Sequence, residues 1–190
     1  KRGAKAQAHI DDFYEDIDKL KEDGLDALII TGANTDTSPA LTDKESWKPL
    51  YDLIDWADQN VTSTIFCCLA SYVLMYKKYN QLTTIQPNKV LGIFSHHVLE
   101  REHPLVRGMN TKFDAPHARS YGVSRKQYDE AGMITLSQGK EAGVLCAVSK
   151  DGFREVCTQG HPEYDTFSLL KEFKRDMNWY KDGEIKQREI

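Results

Sequence analysis

An α/β three-layer sandwich with a mainly parallel sheet is what the sequence predicts, from three observations. Apolar runs of strand length alternate with amphipathic helical stretches through the first half of the chain. Those runs, at residues 25–30 and 61–68, are almost continuously apolar rather than alternating, the pattern of strands covered on both faces. With 190 residues, 40% of them hydrophobic, the chain can build one core and needs no second domain.

Taken in order, Ile10, Phe13, Ile17 and Leu20 recur at three- and four-residue steps among charged residues and predict one amphipathic surface helix. The run 25–30 is a strand ending in Thr31-Gly32-Ala33, followed by a polar loop over 34–42. Thr42 or Asp43 can then cap a helix carrying Trp47, Leu50, Leu53, Ile54 and Trp56. Next come a buried strand over 61–68 and a helix over 69–79. Strands are expected over 90–94, 112–115, 133–136, 143–149 and 153–158, with a hairpin turn at Ser149-Lys150-Asp151-Gly152, where Asp-Gly favours the tight reversal. A last helix, over about 166–180, presents Phe167, Leu170, Phe173, Met177 and Tyr180.

Composition narrows the function. The formal charge of −4 is mild and the basic residues are scattered, so no nucleic-acid footprint is expected. No apolar run approaches 18 residues and no leader pattern precedes the fold, which predicts a cytoplasmic protein without a membrane partner. The chain opens on Lys1, which suggests a trimmed N-terminus. Four cysteines without C-x-x-C spacing, and histidines without helical ligand spacing, predict neither a disulfide framework nor a metal. Cys67, Cys146 and Cys157 are read as small core hydrophobes.

Cys68 differs by position. At a strand-to-helix turn it meets the positive end of the helix, which favours thiolate, and the N–H of Leu69 points at any oxyanion formed on an attacked carbonyl. In Gly160-His161-Pro162-Glu163, proline holds the preceding residue extended, so His161 and Glu163 project to the same side and form a base with its orienter. A nucleophile and an oriented base are thus present; a buried cysteine and a turn histidine bonded to backbone are the alternatives.

Five ordered stretches carry a resemblance: 60–68 (Asn-Val-Thr-Ser-Thr-Ile-Phe-Cys-Cys), 103–108 (His-Pro-Leu-Val-Arg-Gly), 115–119 (Ala-Pro-His-Ala-Arg), 147–151 (Ala-Val-Ser-Lys-Asp) and 160–165 (Gly-His-Pro-Glu-Tyr-Asp). Together they resemble the homoserine O-succinyltransferase/O-acetyltransferase family of the MetA type, from about residue 11 to 176. The resemblance implies a class I glutamine amidotransferase-like (flavodoxin-like) fold, with residues 1–190 as a single acyltransferase domain lacking the family's N-terminal segment. It implies no cofactor beyond acyl-CoA as co-substrate, a possible homodimer, and a place in methionine biosynthesis, or in cysteine biosynthesis were L-serine the acceptor. Carried over by position, Cys68 takes the acyl group as a thioester, His161 and Glu163 form the base pair, Arg175 grips the carboxylate of the acceptor, L-homoserine or L-serine, and Arg119 is a second arginine of the site.

The chain departs from the family pattern around the pocket. Leu69-Ala70 stands where tryptophan and a small residue usually follow the nucleophile, Ala118 replaces serine, Thr83 a lysine, and Ser95 a glutamate. The family position that separates donors is glycine for succinyl-CoA and glutamate for acetyl-CoA; here it is Asp36, whose charge would oppose the succinyl carboxylate, so the resemblance leans to acetyl-CoA. Three other functions stay open: a serine O-acetyltransferase on the same scaffold, a cysteine hydrolase of the glutamine amidotransferase kind, and a non-catalytic binding protein.

Overall fold

The computed structural model describes residues 3–33 and 40–183. Its seven strands form one sheet in the order β1-β2-β7-β6-β5-β3-β4. They are β1 (Ala27–Ile30), β2 (Ser63–Cys67), β3 (Thr84–Val98), β4 (Lys112–Gly122), β5 (Ile134–Gly139), β6 (Gly143–Val148) and β7 (Glu155–Thr158). The α/β class holds, but the sheet is mixed rather than mainly parallel. Only β1 with β2 and β2 with β7 run parallel; the other four pairings are antiparallel. The reason lies in the connections. A parallel neighbour needs a crossover, which α3 (Lys48–Asn60) supplies between β1 and β2, whereas β5, β6 and β7 are joined by short turns that reverse the chain.

Helix α4 (Leu69–Tyr79) forms where expected and is the most buried element, with every residue from Leu69 to Met75 inside. It packs with Ile54 of α3, Phe66, Tyr128 and Val144 into the main core, while Val98, Val106, Leu136, Val148 and Val156 form a second cluster. Asn80, in the left-handed region, closes α4 and lets Gln81 N–H reach back to Met75 O.

Several boundaries differ from expectation. The N-terminal helix is two, α1 (Ala4–Phe13) and α2 (Ile17–Asp23), because the Asp16 carboxylate accepts from Asp18 N–H and starts a new helix; neither buries a residue. Asp43 caps the turn before α3 through Ser46, and the helix begins at Lys48 with Pro49 in its first turn. Strands β3 and β4 are far longer than 90–94 and 112–115. Pro87, Gly92 and Pro116 interrupt the apolar pattern without ending either strand, since Pro87 falls in the irregular stretch between Ile85 and Val90, where the register shifts, and Pro116 lies on the edge strand. Helix α5 (Arg125–Glu130) was not expected, although Ser124 and Gln127 form a capping box visible in the sequence. The last helix, α6 (Ser168–Lys181), packs on β3 and β4.

The sheet curls so that the outer edge of β4 returns to the end of β7. His161 N–H donates to Pro116 O at 2.8 Å, and the buried Gln159 amide accepts from Val123 N–H at 2.7 Å while donating to Val123 O and Val144 O. The far side of β7 is fixed by the expected hairpin, with Val148 opposite Val156 and Gly152 at positive φ. There Asp151 Oδ1 accepts from Ser149 Oγ, Phe153 N–H and Arg154 N–H at 2.7, 3.1 and 3.0 Å. Burial pushes this carboxyl up, but the bonds from Arg154, Ser149 and Phe153 together outweigh it and hold its pKa below 3.8. A depressed carboxyl pKa stabilises the fold above the unfolded value, and that contribution is lost as pH falls through the folded one. Asp151 is exposed enough for solvent to screen much of this, so Asp151→Ala is expected to lower unfolding free energy by only about 1 kcal/mol at neutral pH, with the difference shrinking below about pH 3.8, as read from denaturant unfolding at both pH values.

Candidate active site

The parallel strands set the site. In the β2–β7 register Cys67 stands opposite Thr158, and Cys68 N–H donates to Thr158 O at 2.7 Å, so the two chains leave the sheet side by side. One leads through Cys68 into α4, the other through Gln159 and Gly160 to His161. The turn at Cys68 is sharp, with φ 48° and ψ −114°, a conformation costly for any residue with a Cβ. Gly32, at the end of β1, makes room for it: a Cβ there would lie 3.0 Å from the Cys68 Cβ and 3.1 Å from Cys67 O.

A cavity of about 210 Å³ opens at this point, and Cys68, Arg119, His161, Glu163 and Arg175 all line it. His161 is 8% exposed, and its Nδ1–H donates to Glu163 Oε1 at 2.8 Å, which leaves Nε2 as the basic nitrogen. The two side chains meet across a turn closed by Tyr164 N–H to His161 O, not along an extended segment, because Pro162 suits the second position of such a turn. Tyr164 also stacks on the imidazole, ring centroids 4.2 Å apart at 15°.

Cys68 is 3% exposed, and burial pushes its thiol up to about 11; the Leu69 N–H and the Arg119 charge oppose this and are outweighed. The expected thiolate-favouring effect of the helix end is thus present but smaller than the cost of desolvation. A resting thiol must then surrender its proton as it reacts, and an imidazole oriented by a carboxylate is the adjacent group suited to take it.

The expected arginines differ in what they can offer. Arg119, 3% exposed, donates to Tyr121 O at 2.6 Å, to Ala142 O and to His117 Nδ1, so much of its donor capacity is used inside the fold while its charge bears on Cys68. Arg175 stacks over Trp179 at 4.8 Å and pairs with Glu172 at 2.6 Å and Asp176 at 2.9 Å. Asp176 also binds Lys89 of β3. The Thr31-Gly32-Ala33 segment, which the sequence placed at a strand end, lines the cavity. Lys89, Glu172 and Tyr164 line it too and were given no role from the sequence; an isolated lysine or glutamate carries no local signature, and only the fold brings them here. Asp36 lies outside the described residues. Among the described residues no group of three or more histidine, cysteine or acidic side chains could hold a metal ion, and no helix is long and apolar enough to cross a membrane.

A curled mixed sheet with a strained cysteine between a parallel strand and a buried helix defines an α/β protein of the class I glutamine amidotransferase-like fold. A glutamine amidotransferase from Methylobacillus flagellatus superposes with TM-score 0.57 at 12% identity, covering 91% of this chain and 68% of that one. The glutaminase domain of the Trypanosoma brucei CTPS does so with TM-score 0.58 at 11% identity, covering 90% and 77%. At such identities the likeness concerns fold alone. The family is shown by sequence: a model described as homoserine O-succinyltransferase matches residues 1–188, and the chain belongs to that family. It is 52% identical over 176 residues to the homoserine O-succinyltransferase of Thiobacillus denitrificans, and 49% identical over 182 residues to that of Allochromatium vinosum. Those matches cover 93% and 96% of this chain but 50% and 51% of the relatives, so the chain spans about half their length.

The strain at Cys68 is directly measurable. Glycine adopts this backbone freely, so Cys68→Gly is expected to be more stable than Cys68→Ala by about 1 kcal/mol, although it has one methyl less to bury. Equal or lower stability of the glycine variant in thermal unfolding would show the turn to be relaxed.

Proposed function

We propose that this chain carries the reacting groups of an acyl-CoA-dependent O-acyltransferase whose acceptor is the side-chain hydroxyl of L-homoserine, as in methionine biosynthesis. The observation that carries the proposal is the single cavity lined by Cys68, the His161–Glu163 pair and Arg175. In the first half-reaction Cys68 Sγ attacks the acyl thioester while its proton passes to His161 Nε2; the C–S bond to CoA breaks, and His161 returns the proton to the departing thiolate. In the second, His161 takes the hydroxyl proton of the acceptor, whose oxygen attacks the acyl-cysteine, and the proton finally returns to the Cys68 sulfur. The Leu69 N–H, whose hydrogen bond favours the Cys68 thiolate, is the donor we assign to the oxyanion in both steps. Arg175 holds the acceptor carboxylate in exchange for part of its pairing with Glu172.

Succinyl-CoA is the donor that the names of the relatives favour. Acetyl-CoA is the second reading, favoured by Asp36, whose carboxylate would repel that of a succinyl group were it set against the donor. L-Serine, one methylene shorter, would be discriminated by only about 10 to 200-fold on packing alone. Family membership supports transfer over the hydrolase or binding-protein alternatives.

Mixing the chain with acyl-CoA is expected to release CoA and add the mass of one acyl group, and Cys68→Ala is expected to abolish both; a Cys68 variant that still turns over would overturn the mechanism. His161 and Glu163 should act as a unit, so the double alanine variant is expected to be little slower than His161→Ala alone.

Arg175 tests the acceptor site. Arg175→Ala is expected to raise the homoserine KM roughly 10 to 150-fold, the equivalent of about 1.5–3 kcal/mol, while leaving single-turnover acylation of Cys68 nearly unchanged. Equal slowing of both half-reactions would misplace the acceptor. A competition between succinyl- and acetyl-CoA, repeated with Asp36→Gly, decides the donor: a shift toward succinyl on removing the carboxylate is expected.

A further inference from the structure

From the cavity wall inward, and unused by the chemistry above, three buried side chains form a file across β3 and β4: Arg119, which lines the cavity, then His117 and His96, exposed by 3, 0 and 0%. Their hydrogen bonds fix every proton. His96 Nδ1 lies 2.8 Å from Phe94 O, which can only accept, so His96 carries its proton on Nδ1 and its Nε2 accepts. His117 Nε2, 3.1 Å away, must then donate to it. That leaves His117 Nδ1 as an acceptor, and Arg119 Nε–H donates to it at 3.3 Å. Only this assignment satisfies all three contacts, and it requires both rings neutral. Burial, reinforced by Arg119, His96 and His161, holds His117 down to about 2, which keeps it so.

The His117 ring reaches both halves of the proposed catalytic pair. On one side it engages Arg119, whose charge acts on the Cys68 thiol. On the other it lies against the backbone of Gly160, where a Cβ would fall 2.9 Å from both Cε1 and Nε2 of the ring. Gly160 precedes His161, and His161 N–H is bound by the carbonyl of Pro116, the residue before His117. We infer that His117, locked in one tautomer by His96, is a positioning residue that aims the Arg119 guanidinium at Cys68 and seats the Gly160–His161 turn. The inference rests on reading Cys68 as the nucleophile and His161 as its base.

Besides Arg119, the titratable groups that bear on Cys68 are Cys67 of β2, Tyr72 of α4, and Glu163 and Tyr164 beside His161. Against that background the test is the rate at which iodoacetamide alkylates Cys68, located by fragment mass spectrometry, in the unliganded chain at one mildly alkaline pH. Below the thiol pKa this rate follows the thiolate fraction, so each unit of upward shift slows it about tenfold. His117→Leu removes the acceptor for Arg119 and is expected to slow alkylation about tenfold, within the range that one neighbouring charge commands. His117→Asn, which can offer an acceptor oxygen where Nδ1 stands, is expected to restore most of the rate.

His96→Phe keeps a ring beside His117 but removes its acceptor, freeing His117 to place its proton on Nδ1 and face Arg119 donor to donor. It is expected to slow alkylation in the same direction, and it carries the test should His117→Leu not fold. A variant that merely loosened the packing would expose Cys68 and speed alkylation. Folded His117→Leu or His96→Phe chains with unchanged or faster alkylation would overturn the inference, as would His117→Asn slowed as much as His117→Leu. No acyl donor or acceptor enters this assay. Absence of acyl-enzyme on the unaltered chain would therefore sink the transferase reading while leaving the role of His117 in setting Cys68 to be judged by its own result.

Discussion

The site depends first on one hydrogen bond, from Cys68 N–H to Thr158 O, which extends the parallel pairing of β2 and β7 by one step beyond the strands. Parallel strands in register end at the same level. Here that geometry delivers a cysteine from one strand and, three residues past the other, a histidine into the same cavity, although 93 positions separate them in sequence. The remaining constraints follow from that shared ending. The turn at Cys68 must be abrupt, Gly32 must lack a side chain to let it pass, and Gly160 must lie flat on His117 for His161 to arrive. Pairing of the Pro116 carbonyl with His161 N–H then ties the curled edge of the sheet to the site.

The electrostatics are governed by burial more than by charge. Cys68, His96 and His117 are each driven toward the neutral form by desolvation, and the nearest formal charge, on Arg119, is largely occupied by backbone carbonyls. On the opposite wall Lys89 and Arg175 are balanced by Glu172 and Asp176. Each cation there already has a carboxylate partner, so the wall carries paired rather than unopposed charge.

Much of this was legible in the sequence, and what was not has physical causes. The uninterrupted apolar run into Cys67 and the helical period after Leu69 located β2, α4 and the elbow between them, since local pattern and tertiary burial agree there. The His161–Glu163 pairing was also foreseen, although the turn that makes it was mistaken for an extended segment. The strand directions were misjudged because an apolar run declares burial and says nothing of its neighbour's direction. Long β3 and β4 were read as fragments because proline and glycine usually mark turns, while at a bulge and on a sheet edge they are tolerated. Lys89 and the His96–His117 contact lay beyond local reading altogether, being products of strand register between distant segments.

The depth at which Cys68 lies has a chemical consequence for the unliganded protein. Oxidants such as hydrogen peroxide attack thiolate rather than thiol, and burial pushes the Cys68 thiol up to about 11, which favours the thiol form at neutral pH. A cysteine so deeply buried is therefore slow to oxidise while it stays desolvated.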